Sequence, residues 1–85
     1  MEDLVRRLTR LLRQKFPGSE LELEQLDRDR VGGVVIWDGF KKFDHVDRQQ
    51  KLSKIFKANL KANELLQISA IFALTHSEME NARRA

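Results

Sequence analysis

The chain has 85 residues, 41% of them hydrophobic and 34% charged, with 16 Lys and Arg against 13 Asp and Glu and no cysteine. That length holds one domain and leaves little room for a deep cofactor cavity, which speaks against a deep-pocket enzyme. Without cysteine there is no disulfide, no thiolate nucleophile and no thiolate ligand for zinc or an iron–sulfur cluster, as expected of a reducing compartment.

From Asp3 to Phe16, Leu4, Val5, Leu8, Leu11 and Leu12 recur at spacings of three and four, the stripe of an amphipathic helix, with Arg6, Arg10 and Arg13 on its other side. The start at Met1-Glu2-Asp3 carries no apolar leader pattern, so a cytoplasmic protein is expected. Pro17-Gly18 ends the helix. Glu20-Leu21-Glu22-Leu23-Glu24 alternates strictly and predicts a strand with one wet and one buried face. A charged connection, Asp27-Arg28-Asp29-Arg30, and Gly32-Gly33 lead into Val34-Val35-Ile36-Trp37, a second strand. Together they predict a hairpin with a flexible tip.

Asp38-Gly39 predicts a turn, and Asp44 is placed to cap a helix from about His45 to Leu60. Val46, Leu52, Phe56 and Leu60 form its apolar side, and Gln49 and Ser53 fall in the same stripe, so Gln49 should be partly buried as a structural amide or act as a recognition contact. The near-repeat Lys57-Ala58-Asn59-Leu60, Lys61-Ala62-Asn63-Glu64 predicts a helix end that frays or restarts. Apolar residues in both alternating sets of Leu66 to Leu74 predict a strand inside the sheet, and the stretch is too short and too interrupted to cross a membrane. Thr75-His76-Ser77-Glu78 matches a capping box at the start of a last helix that ends in Arg83-Arg84. The order helix, strand, strand, helix, strand, helix predicts an α+β domain, a three-stranded mixed sheet with helices packed against it.

Two groups of cations could form a phosphate-binding track for nucleic acid: Lys51, Lys54, Lys57 and Lys61 along one helix face, and Arg28 with Arg30 at the hairpin tip. A solvated face is the plainer account. Trp37, Phe40 and Phe43 cluster after the second strand, either as a lid on the core or as an exposed anchor for a protein partner, with Gln49 as a further contact. Phe16, Phe56 and Phe72 are expected in the core. His45 and His76 sit near helix starts and read as surface histidines, since two ligands from distant segments make an incomplete metal site. No nucleophile elbow or phosphate-binding glycine loop is present, so no enzyme activity and no cofactor are expected.

Three stretches of the sequence resemble the BolA family, whose fold is related to the class II KH arrangement. Val34-Val35-Ile36 with Asp38 and Phe40 is similar to its second strand and following turn; Val46 to Leu52 to the start of its long helix; and Ile68-Ser69-Ala70-Ile71 with Thr75-His76-Ser77-Glu78 to its last strand and final capping motif. The resemblance implies a BolA-like fold and a small binding or adaptor module. It also implies a monothiol glutaredoxin as partner, with which such proteins hold or transfer a [2Fe–2S] cluster, or nucleic-acid binding as in other members. Two departures bear on the cluster: Gln49 stands where the family's helical triplet carries histidine, and Ser69 where the last strand carries the histidine expected as ligand. A neutral hydroxyl is a poor substitute for imidazole.

Overall fold

The computed structural model describes residues 3–84, so Met1 and Glu2 at the head of the N-terminal pattern lie outside the described residues. Helix α1 (Leu4–Lys15) opens where the Asp3 carboxylate accepts from the Arg6 N–H, and it buries Leu4, Leu8 and Leu12. Each of these leucines contributes about 1.5–3 kcal/mol by leaving water. Gly18, at φ 83°, turns the chain into strand β1 (Glu20–Asp27), which pairs antiparallel with β2 (Arg30–Ile36).

Strand β2 begins earlier than its β-branched run, because the two glycines lie inside it. Gly33 has φ 149°, and a Cβ there would stand 2.0 Å from the Glu22 carbonyl oxygen, so only glycine lets β1 approach this closely. The hairpin tip differs from the flexible loop its charges suggest. Asp27 accepts from the Asp29 N–H at 3.0 Å and from Arg30 Nε at 2.7 Å, while the Gln25 amide donates to the Asp27 and Arg30 carbonyls. The first of these bonds, with Arg30 beside it, holds the Asp27 carboxyl below its usual pKa.

A short 3-10 turn (Asp38–Lys42) leads to α2 (His45–Asn59), capped by Asp44, whose carboxylate accepts from the Asp47 N–H at 2.8 Å. The chain then restarts as the single-turn α3 (Ala62–Leu65), where the buried Glu64 carboxylate accepts from the Lys61 N–H and pairs with Arg7 of α1. Strand β3 (Ile68–Leu74) runs parallel to β2, and α4 (His76–Arg84) closes the described chain. The capping box forms: the Glu78 N–H donates to Thr75 Oγ1, and the Thr75 N–H donates to Glu78 Oε1.

The sheet is ordered β1-β2-β3, a three-stranded mixed sheet with one parallel pair. Leu21, Leu23, Val31, Val35, Ile71 and Ala73 share one face by register, and α1 and α2 cover it with Leu8, Leu12, Leu52 and Phe56. Strand β3 is thus an edge strand with one covered face, not the interior strand its apolar content predicts. Phe72, expected in the core, alternates onto the other face and is 56% exposed. Val46 is 65% exposed, at the edge of the stripe assigned to it, and Leu66 precedes the strand in the open.

Candidate functional site

An open groove runs between α2 and the edge of β3, with a cavity volume of about 290 Å³. Leu52 and Phe56 form its floor; Gln49, Ser53 and Lys57 stand along one wall. Ser69 and Ile71 belong to the other wall. The groove follows from register. The Trp37 N–H donates to the Leu74 carbonyl at 2.9 Å, so Leu74 and, by alternation, Phe72 bond toward β2, and the backbone groups of Ile71 and Ala73 point away from the sheet.

Helix α2 supplies hydrogen-bond donors to the carbonyls of that outer edge. Gln49 Nε2 donates to the Ile71 carbonyl at 3.3 Å, and Arg48 Nη1 donates to the Ala73 carbonyl at 3.1 Å. The two bonds differ in strength. Gln49 is exposed and its bond is long, whereas Arg48 is 4% exposed and is held from four sides. Arg48 Nε donates to the Phe40 and Phe43 carbonyls at 3.0 and 2.9 Å, and Nη1 also reaches Glu78 Oε1 at 2.7 Å. The Arg48 guanidinium, followed by the Thr75 N–H, pulls the Glu78 carboxyl below its usual pKa.

Beside this web, His76 Nδ1 lies 3.0 Å from Asp38 Oδ1 and Nε2 lies 3.3 Å from Glu20 Oε1. Asp38 first, and Glu20 second, raise the imidazole pKa by favouring its charged form, and the His76 backbone N–H lowers that of Asp38. His45 Nε2 stands 4.0 Å from the Glu78 carboxylate. Among the described residues no three His, Cys, Asp or Glu side chains converge as a metal site. No described helix is long and apolar enough to cross a membrane.

The predicted contacts scatter. Phe40 is fully buried against Phe16 and Trp37, with ring centroids 5.0 and 5.2 Å away, so it is core and not an exposed anchor. Trp37 is half-buried and donates from Nε1 to the Pro17 carbonyl at 3.1 Å. Phe43 is half-buried beneath Lys51, whose Nζ stands 4.4 Å from the ring centroid. Gln49 is exposed in the groove and not part of the buried stripe.

The cations separate as well. Lys51 and Lys54 flank Lys15 of α1, while Lys57 turns into the groove on the other side of α2. Lys61 lies beyond the end of α2 and starts α3, which removes it from the helix face predicted for it. Arg28 and Arg30 are exposed at the hairpin tip, with Arg30 tied to Asp27. Sequence reasoning missed Arg48, although its spacing of four to Leu52 and eight to Phe56 places it on the inward stripe.

No protein-family model matches the sequence, and no curated protein matches it. Solved structures do. The chain superposes on BolA1 from Arabidopsis thaliana with a TM-score of 0.75 at 20% identity, covering 92% of this chain and 98% of that one. The fold is BolA-like. The BolA domain of SufE1 from Arabidopsis thaliana is similar too, with a TM-score of 0.70 at 20% identity and the same two coverages. On this BolA-like frame the two departures noted in the sequence, Gln49 and Ser69, line one groove. An amide and a hydroxyl there do not fit a [2Fe–2S] cluster, which takes thiolate or imidazole ligands.

Proposed function

We propose that this small BolA-like domain is a non-enzymatic adaptor module that docks a protein partner in the groove between α2 and β3. The observation that carries the reading is the outer edge of β3 within that groove. Of its wall residues Gln49, Ser53 and Ser69 are polar and uncharged and Lys57 is charged, its floor of Leu52 and Phe56 is apolar, and it lies against a strand edge only partly bonded by its own helix. Apolar floors with a few placed polar groups are what recognition sites require.

The reading is tested by comparative capture. The immobilised chain and its Ser53→Arg variant, which fills the groove from a solvent-facing wall, are exposed to extract of the native host. A protein retained by the parent chain and lost with the variant is expected. Identical retained sets, or nothing above background, overturn the proposal. The alternative, nucleic-acid binding through Lys51, Lys54, Lys57, Lys61, Arg28 and Arg30, asks cations on several separate surfaces to act together, so the adaptor reading is preferred.

A further inference from the structure

Resting on that adaptor reading, we infer that the groove takes its partner as an extended, acidic peptide segment added to β3 as a fourth strand. Three observations converge on this occupant. The outward N–H groups of Ile71 and Ala73 have no side chain of the described residues placed to accept from them, while their carbonyls are met by α2. An incoming backbone carbonyl supplies the missing acceptor at Ile71, and its own N–H replaces the long Gln49 bond to the Ile71 carbonyl.

The geometry also says where the added strand stops. Gln49 is exposed and can swing aside, but Arg48 is buried and bonded to Phe40, Phe43 and Glu78 as well as Ala73. Addition therefore covers the Ser69–Ile71 end of β3, where the groove is open, and ends before Ala73. The cavity of about 290 Å³ suits a short segment and not a folded domain. Along the strand, alternate side chains of the guest face the groove's apolar lining, where the half-buried Leu65 and Ile68 adjoin the buried Leu52 and Phe56.

Charge selects the guest's sequence. Among the described residues Lys57 is the one charged side chain in the groove's lining, and no carboxylate belongs to that lining. A guest with an Asp or Glu opposite Lys57 and an apolar, β-branched residue over the floor is complementary to both.

The test is selection from a displayed library of linear peptides about ten residues long, spanning roughly 33 Å when extended. Enriched peptides should carry an acidic residue beside β-branched positions, and a selected peptide should shift the amide resonances of Ile71, Ser69 and Lys57. N-methylation at alternate guest residues should abolish binding, and Lys57→Glu should weaken it about tenfold, as loss of a charge-assisted contact does. Absence of enrichment, peptides that bind as helices, or binding indifferent to Lys57→Glu overturns the inference. Concentration-dependent dimerisation that masks the same amides makes a second copy the occupant, and equal shifts from single-stranded oligonucleotide make it nucleic acid; either result also overturns it. A host protein lost with Ser53→Arg, without peptide enrichment, leaves the adaptor reading standing and removes strand addition alone.

Discussion

At one end of β3 the outward carbonyl of Ala73 receives a bond from the buried Arg48 guanidinium, and the next N–H along, at Thr75, is closed by Glu78. Two residues before Ala73 the corresponding carbonyl, at Ile71, meets only an exposed amide across an open groove. One strand thus has a sealed half and an unsealed half, and the helix that seals the first also walls the second. The contrast teaches how a sheet edge can be protected from indiscriminate pairing while a short stretch stays available. Charge-assisted bonds to a buried arginine cannot be exchanged cheaply, whereas a neutral surface amide can.

The sharpest way to break the contrast is Arg48→Met. The Phe43 and Ala73 carbonyls lose their donor while the Phe40 carbonyl and Glu78 each lose one of two, and a buried acceptor left unmet costs about 1–3 kcal/mol, so urea unfolding should show a drop of about 3–5 kcal/mol. Phe40→Ala should cost a similar about 3–5 kcal/mol, because its ring fills the core beneath Trp37; an unchanged midpoint would return Phe40 to the surface.

Acid and base should loosen the sealed end from opposite sides. Glu78 has a lowered folded-state pKa, so its contribution is present above the ordinary glutamate range and is lost as pH falls through the folded value. His76 has a raised one, so its contribution is fully present below the ordinary histidine range and fades as pH rises through the folded value. Proton resonance titration should place His76 above a free histidine, and Asp38→Asn should bring it down.

The smallest effect belongs to the open half. Gln49→Ala should change stability by no more than about 0.5 kcal/mol, as for a surface residue. Amide exchange should nonetheless alternate along β3, with Ile71 quicker than its neighbours Ala70 and Phe72, which bond to β2. Equal protection along the strand would erase the distinction between the two halves.

The residues told much of this in advance because their signals are local. Alternation in Glu20 to Glu24, the Asp44 cap and the Thr75–Glu78 capping box each act within a few residues, and the element order follows from them. What the sequence hid depends on partners distant along the chain. Phe72 and Ile71 have the same apolar character, and only the packing of α1 and α2 on one face of the sheet puts Ile71 in the core and leaves Phe72 in the open. Gln49 and Arg48 invert the usual expectation for the same reason. The charged neighbour goes inward because carbonyls from the 3-10 turn and β3 converge on it, and the amide stays out. The groove itself, which joins Gln49 to Ser69, exists only after α2 and β3 have met.

Helix α4 buries none of its side chains; besides its capping box it is moored through His76 to Asp38 and Glu20, through Glu78 to Arg48, and through Arg83 to Glu22. The His76 and Arg83 attractions lie at the surface and weaken as ions screen them, with a Debye length near 3 Å at 1 M salt against about 8 Å at 0.15 M, which leaves Glu78 on the buried Arg48 as the main tie. In concentrated salt α4 should become the first segment to open, a small unit detaching while the sheet and the two long helices remain folded.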